Sequence, residues 1–223
     1  MPEEQHEGLT FEEITSTLVK EYSKHGIFVP EEKPHYPPLE AALDIKSSRL
    51  RLAAVIELGR RKDRRALPLL RSALSDWYVP VRAEAIRAME AMGDSSPKEG
   101  FMARALSRNF NESYDALRVL AELRDTSMDN VFVTCMWSED ARISTLASQV
   151  VFSMGDRSGL ESLISKLANG SDQETIEAAS FLVEIEDPDA QRAVADFLNS
   201  DFVSPHLKQA VASELRRARR RRK

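Results

Sequence analysis

Residues 81–96 read VRAEAIRAMEAMGDSS, and residues 143–158 read ISTLASQVVFSMGDRS. Both stretches place an alanine nine residues before an aspartate, and the same pair returns every 31 residues along the chain. The two columns are Ala54, Ala85, Ala116, Ala147 and Ala178, and Asp63, Asp94, Asp125, Asp156 and Asp187. Two columns that keep one period over five occurrences indicate a tandem repeat.

Apolar residues follow the same period in three further columns. These are Leu58, Met89, Leu120, Val151 and Leu182; Leu70, Phe101, Phe132, Leu163 and Val194; and Leu74, Ala105, Met136, Leu167 and Leu198. Their spacing predicts two amphipathic helices of about 12 to 15 residues in each repeat. The small alanine allows the helices to approach closely, and the aspartate is placed to cap the second helix. Since one helix pair cannot bury its apolar face alone, the pattern predicts an all-α fold, an α-solenoid of stacked helix pairs.

Prolines and glycines fall where such helices begin and end. Gly93 and Gly155 directly precede capping aspartates and suit a helix end. Four prolines stand in predicted first turns, where a missing N–H costs nothing: Pro80, Pro97, Pro188 and Pro205.

The repeat register divides the chain into three parts. Residues 1–38 hold a predicted helix at about residues 9–25, followed by a proline-rich linker. Residues 39–215 form the repeat array, which consists of a half unit, five full units and a capping helix from Ser204 to about Arg217. Residues 216–223 form a basic tail.

Charge is divided unevenly between this tail and the rest of the chain. The chain has 31 Lys+Arg and 36 Asp+Glu residues. Seven of the basic residues lie in the tail: Arg216, Arg217, Arg219, Arg220, Arg221, Arg222 and Lys223. Residues 1–215 therefore carry 24 basic against 36 acidic residues, which is unlike a nucleic-acid-binding body. A basic block at a terminus usually stays solvated and acts as an electrostatic arm for an acidic or phosphate-bearing partner.

Several short stretches resemble one known repeat family. They are Glu57-Leu58-Gly59-Arg60-Arg61-Lys62-Asp63, Ala66-Leu67-Pro68-Leu69-Leu70, Val81-Arg82 and Met154-Gly155-Asp156. Over residues 39–215 the chain resembles HEAT-like repeats of the phycobilin-lyase type, less closely where Glu112-Ser113 and Glu174-Thr175 replace the apolar-Arg pair. The resemblance implies a scaffold that serves many partners, because such repeats are similar to those of bilin-attachment subunits, phycobilisome-degradation factors and general adaptors.

In such stacks the second helices line the concave face, and their non-core positions form the expected binding surface. These positions are Arg65, Pro68, Ser72, Asp76, Ser96, Glu99, Ala103, Ser107, Ser127, Asn130, Thr134, Ser138, Ser158, Glu161, Ser165, Asn169, Asp189, Arg192, Asp196 and Ser200. The surface is rich in serine and mildly acidic, and Arg65 and Arg192 are its basic residues. Nucleic-acid binding would need several lysines or arginines together with stacking aromatics. We therefore expect a protein partner there.

Four apolar or aromatic residues near this face are candidate anchors for the partner. Leu106 and Trp137 occupy one column, and Trp77 with Tyr78 lies in the turn between the first two full units. Aromatic side chains of this kind are favoured as interface hot spots. The alternative is that they fill the core at helix ends, and the sequence leaves both interpretations open.

Catalytic and metal-binding patterns are missing from the sequence. HEAT-repeat metal oxygenases resemble arrays with His-Glu pairs on successive repeats, whereas here the one such pair is His6-Glu7, near the N-terminus. Cys135 is expected to be a buried, inert thiol, and Arg51 and Arg82 to be structural residues between repeats. We expect no catalytic residue, cofactor or metal, and a lyase-like accessory activity stays open.

The predicted function is a non-enzymatic protein-binding scaffold or adaptor. The alternatives are a phycobilin-lyase-like or chaperone-like accessory factor, and a nucleic-acid-associated adaptor that uses the arginine-rich tail. No apolar run approaches the roughly 20 residues that span a bilayer, and the acidic N-terminus lacks a signal pattern. We therefore expect a cytoplasmic protein without membrane insertion.

Overall fold

The computed structural model describes residues 46–221 together with Glu13, Ser16, Leu43 and Asp44. The predicted N-terminal helix and proline-rich linker lie outside these residues, apart from two isolated positions. Of the predicted half unit, Leu43 packs against the first hydrophobic core. The last two residues of the tail, Arg222 and Lys223, also lie outside the described part of the chain.

The described residues form two compact units, which divide between Phe101 and Met102. The first unit contains α1 (Ser48–Arg61), a 3-10 helix (Arg64–Ala66), α2 (Leu67–Ala73), α3 (Val79–Glu90) and the start of α4 (Ser96–Ala105). Helices α1 and α2 both pack against α3. The core between them includes Leu58, Leu70 and Met89, all fully buried.

The second unit begins within α4 and continues the alternation of first and second helices. It contains α5 (Phe110–Leu123), a 3-10 helix (Thr126–Met128), α6 (Asp129–Cys135), α7 (Ala141–Ser153), α8 (Ser158–Asn169), α9 (Asp172–Leu182), α10 (Pro188–Asn199) and α11 (Pro205–Arg221). Each first helix packs against the next, α5 on α7 and α7 on α9, and α8 packs on α7, α9 and α10. Helix α11 covers α9 and α10. None of the described helices is both long and apolar enough to cross a membrane.

The alanine column lies at the contacts between helices. Each of its five members is at most 1% exposed: Ala54, Ala85, Ala116, Ala147 and Ala178. Because a methyl group holds neighbouring helix axes close together, the repeated alanine sets the spacing of the stack. Over the described residues, the predicted all-α solenoid of helix pairs with a 31-residue period is confirmed within each unit.

The aspartate column supplies the caps that open the second helices. Each carboxylate accepts a hydrogen bond from the backbone N–H two residues ahead, at distances from 2.8 to 3.2 Å: Arg65, Ser96, Ser127, Ser158 and Asp189 are the donors. The capping role is therefore confirmed. In three repeats the structure differs in detail. Asp63 and Asp125 open a 3-10 helix that leads into a short α-helix of seven residues, and Asp156 lies one residue before Arg157, the N-cap residue of α8.

The glycines before the capping aspartates end the preceding helices. Gly93 has φ of +83° and Gly155 has φ of +94°, in the left-handed region that favours glycine. The prolines in the predicted first turns, Pro80, Pro97, Pro188 and Pro205, lie at the starts of α3, α4, α10 and α11.

At one repeat position, arginine or hydroxyl side chains of four first helices bind the last turn of a second helix or the turn that follows it, whereas Ser144 donates to Ala141 within α7. Arg51 is buried and binds Asp76 through two hydrogen bonds of 2.6 and 3.0 Å, and Arg82 donates to the Asp76 carbonyl at 2.5 Å. At the same column Ser113 donates to the Ala105 carbonyl, and Thr175 donates to the Lys166 carbonyl at 3.3 Å. A hydroxyl thus replaces the guanidinium as the donor to the preceding second helix. The structural role expected for the arginines is confirmed.

The C-terminal helix is longer than predicted. Helix α11 continues to Arg221, four residues past the expected end at about Arg217. Ala218 is buried, in the same helical stripe as Val211 and Leu215. Arg221 also forms an ion pair with Glu184. Residues 216–221 of the predicted solvated tail are therefore helical, because the apolar stripe extends through the arginine block.

Candidate protein-binding surface

The predicted surface positions all lie outside the core. The capping aspartates and the buried apolar columns turn α2, α4, α6, α8 and α10 so that the intervening positions face solvent. Each of these positions is exposed, apart from Asp76, Ser107, Ser138 and Ser200, which are half-buried. These four stand at or just beyond the end of a second helix, against the turn to the next repeat.

The charged candidates on this surface differ in their partners. Arg65 binds Asp63 of its own repeat at 2.6 Å, and Arg192 lies 3.8 Å from Asp189. Glu99 accepts a hydrogen bond from the Ser95 hydroxyl at 2.8 Å. The two basic candidates are thus already paired with carboxylates.

Trp137 and Leu106 are exposed in the second unit. The side chain of Trp137 is 82% exposed and that of Leu106 is 52% exposed. They follow the ends of α6 and α4 at equivalent repeat positions, and the Cys135 thiol lies 3.6 Å from the Ala105 carbonyl oxygen between these two helix ends. The alternative that these two residues fill the core at helix ends is therefore wrong.

Two further exposed apolar residues, near Leu106 and Trp137 in the sequence, were not among the predicted anchors. Val133, on α6 and one turn before Trp137, is 41% exposed, and Phe110 at the start of α5 is 44% exposed. The sequence signal was present for Val133, because it stands one period after Met102 and one period before Ile164. An apolar repeat position next to the polar surface positions indicates that this surface has an apolar edge.

Trp77 and Tyr78 divide between the two interpretations. In the first unit Trp77 is 72% exposed, and its ring lies 5.0 Å from the guanidinium carbon of Arg51 in a cation–π contact. Tyr78 is half-buried, packs against the first core and precedes α3 as its N-cap residue. Tyr78 therefore fills the core. The ring of Trp77 contacts the buried Arg51 and is otherwise exposed to solvent.

A groove of about 470 Å³ lies between α8 and α10. Its walls are mainly apolar and include Ile164, Leu167, Ala168, Ala193, Phe197 and Val203, and its rim carries Asp189, Arg192, Asp196 and Ser200. Ala168 stands one period after Trp137. A methyl group there leaves open the space that a large side chain would cover. The four rim residues were among the predicted surface positions, whereas the groove was not predicted.

Carboxylates around this groove are unequally compensated. Arg157 binds Asp187 at 3.1 Å and Asp189 at 2.7 Å. Burial raises the pKa of Asp187, but the hydrogen bond from Arg157 and two backbone N–H groups outweigh it and hold that pKa below its ordinary value. Asp196 and Asp201 are exposed and form no ion pair within the described residues. The unbalanced charge at this end of the surface is therefore negative.

A polar cluster joins α7 to α8 and was not anticipated. Lys166 donates to the Ser162 hydroxyl at 2.6 Å and to the Ser148 hydroxyl at 3.4 Å, and the two hydroxyls are 2.9 Å apart. Burial lowers the pKa of the Lys166 ammonium. Ser148 is fully buried, so the cluster acts as an internal link between two helices.

Cys135 has the environment of an inert thiol. Its side chain is buried, and burial raises the pKa of the Cys135 thiol to about 11. Because the thiolate is the reactive form, this thiol is a poor nucleophile at neutral pH.

The arginines of the C-terminal block are held along α11. Arg216 donates to the Ser213 hydroxyl, Arg217 pairs with Glu214 at 2.6 Å, and Arg220 is exposed. Arg221 pairs with Glu184, and Arg219 lies in the same helix. The block is therefore an ordered helical surface over its described length.

Several solved structures are similar to this chain at low sequence identity. Human deoxyhypusine hydroxylase in complex with glycerol matches at 16% identity and a TM-score of 0.41, over 94% of this chain and 96% of its own. The complex of CpcE and CpcF of phycocyanin lyase from Nostoc matches at 16% identity and a TM-score of 0.40, over 96% of this chain and 91% of its own. An engineered protein matches at 19% identity and a TM-score of 0.40, over 81% of this chain and 93% of its own.

No curated protein sequence matches the chain significantly. The family of HEAT repeats matches residues 36–127. The HEAT repeats predicted from the sequence are thus confirmed for residues 36–127, and the helix pairs of the remaining described chain follow the same period.

Proposed function

We propose that this chain is a non-enzymatic adaptor that binds another protein along the exposed positions of its second helices. The observation that supports this most strongly is Trp137, which is 82% exposed. A tryptophan that contributes little to the core gains free energy only when another surface covers it. Leu106 and Val133 are also exposed, and the helix ends that precede Leu106 and Trp137 are in contact through Cys135 and Ala105.

The surroundings of Trp137 support a protein partner. Trp137 follows the end of α6, whose exposed residues are the polar Asn130 and Thr134, the apolar Val133 and one acidic residue, Asp129. An apolar centre with a polar rim is typical of protein interfaces. A nucleic-acid surface would instead need several cations, and the two basic candidates Arg65 and Arg192 are already paired with aspartates.

The experiment is affinity capture from cell extract with three forms of the full chain. These are the unchanged protein, Trp137→Ala, and Ile56→Ala as a control for an exposed apolar residue on a first helix. We expect the captured partner to be lost with Trp137→Ala and kept with Ile56→Ala, while circular dichroism shows equal helical content. Equal capture by all three forms, or unfolding of Trp137→Ala, would overturn the proposal.

The two alternative functions make different predictions in the same preparation. An accessory factor for chromophore attachment would give bilin absorbance after co-expression with a bilin source. A nucleic-acid adaptor would bind DNA or RNA with strong salt dependence, and substitution of the α11 arginines would abolish that binding.

A further inference from the structure

We propose that the groove between α8 and α10 receives a basic amphipathic helix of the partner. An apolar side chain of that helix enters the groove, and its lysines or arginines pair with Asp196 and Asp201. The inference rests on the proposed adaptor function and names the class of segment that the adaptor recognises.

The shape of the groove suits an inserted side chain. Its volume of about 470 Å³ lies within the range of sites that bury a ligand group, which is roughly 300–1,000 Å³. Ala168 on α8 and Ala193 on α10 supply small walls, and Phe197 and Val203 supply larger ones. Phe202, next to Val203, is fully exposed and extends the apolar surface beyond the rim.

The charges around the groove select a basic partner. Asp189 is neutralised by Arg157 at 2.7 Å and faces Arg192 at 3.8 Å. Asp196 is exposed on the rim, and exposed Asp201 lies in the turn between the rim residue Ser200 and the wall residue Val203. Neither carboxylate forms an ion pair within the described part of the chain, so both are available to cations of a partner.

The neighbouring elements favour a helix as the bound form. The groove lies between two helices, and a third helix can place its ridge of side chains between them. An extended peptide would gain most from the edge of a β-sheet, and the described residues contain no strand. The occupant that fits both walls and charges is therefore an apolar helical stripe flanked by lysine or arginine.

The test uses two synthetic helical peptides with the same leucine stripe, one flanked by lysines and the other by glutamates. Fluorescence anisotropy with the full chain at low salt is expected to show binding of the lysine peptide about tenfold tighter, from two exposed ion pairs. Added salt should reduce this ratio, because exposed pairs are screened. Equal affinities for the two peptides would overturn the proposal.

Two substitutions on α10 form a matched pair for the groove itself. Ala193→Trp fills the proposed groove, whereas Ala195→Trp places the same side chain in a different apolar pocket, which Leu182 and Leu215 line. We expect Ala193→Trp to abolish binding of the lysine peptide and Ala195→Trp to preserve it. Unchanged binding by a folded Ala193→Trp protein would exclude this groove as the site.

Charge reversal gives a second test that does not disturb packing. Asp196→Lys combined with Asp201→Lys changes two exposed side chains and is expected to reverse the preference, so that the glutamate peptide binds more tightly. A preference that stays with the lysine peptide would overturn the assignment of these carboxylates. If the peptides fail while Trp137→Ala still loses a captured protein, the groove proposal falls and the adaptor proposal stands.

Discussion

At the scale of single residues, size and exposure decide which positions hold the stack and which are free for binding. Ala147 is fully buried between helices, whereas Ala103 is exposed on α4 in the same unit. The sequence shows the same residue type at both positions. The 31-residue register distinguishes them, because only Ala147 belongs to the invariant column.

Ala147→Leu should therefore destabilise the protein by about 1–3 kcal/mol, since the added carbon atoms have no space at a close helix contact. Ala103→Leu should change the free energy of unfolding by less than about 0.5 kcal/mol. Urea unfolding followed by circular dichroism measures both. An equal effect of the two substitutions would show that the alanine column does not set the helix spacing.

At the scale of helices, close approach and capping fix where each element begins. Gly159 at the start of α8 lies against α7, where an added Cβ would overlap the Ser148 carbonyl oxygen and come within 2.5 Å of the Phe152 nitrogen. Gly100 on α4 has nothing within 4 Å of the same position. Close helix packing therefore requires a glycine at position 159, whereas it does not require one at position 100.

Gly159→Ala is expected to cost about 2–3 kcal/mol or more, because backbone atoms of α7 must move. Gly100→Ala is expected to stabilise the chain by about 0.5–1 kcal/mol, since alanine is the better helix former and no neighbour is disturbed. Thermal and urea unfolding measure both changes. A tolerated Gly159→Ala would mean that α7 and α8 are not in such close contact.

The capping aspartates predict a dependence of stability on pH. Hydrogen bonds from the backbone N–H and hydroxyl of Ser158 lower the pKa of Asp156 below its ordinary value. A carboxylate with a lowered pKa stabilises the fold fully above about pH 4, the value in an unfolded chain, and this stabilisation is lost as pH falls through the lowered pKa. Asp156→Asn keeps a capping oxygen and should therefore flatten the fall of Tm as the pH drops below about 4. If the dependence of Tm on pH is the same for Asp156→Asn and the unchanged protein, Asp156 does not contribute to acid unfolding.

At the scale of the whole molecule, the basic residues at the C-terminus belong to a helix that also packs against the core. Ala218 is buried against the second core, and Arg221 is paired with Glu184. Deletion of residues 216–223 therefore removes structure as well as charge. A loss of nucleic-acid binding after such a deletion would have two possible causes.

We expect deletion of residues 216–223 to lower Tm by about 2–4 °C, which corresponds to roughly 1 kcal/mol in a chain of this size. Substitution of Arg216, Arg217 and Arg220 by glutamine keeps Ala218 and Arg221, and should leave Tm nearly unchanged. Differential scanning calorimetry distinguishes the two variants. An unaltered Tm after deletion would mean that the end of α11 contributes nothing to the fold.

The sequence by itself determined the helix pairs, their 31-residue period, the buried alanines and the capping aspartates. These features depend on residue type at fixed local spacing, which helical periodicity translates directly into burial and hydrogen bonding.

Only the tertiary structure decided the exposure of Trp137, the groove between α8 and α10, and the full length of α11. The groove and the end of α11 depend on side chains of different helices coming together, such as Ile164 and Phe197 on the groove walls or Arg221 with Glu184. Local spacing predicts which residues face a neighbouring repeat. Whether the side chains of two repeats fill the space between them or leave a groove is decided only when the repeats pack together.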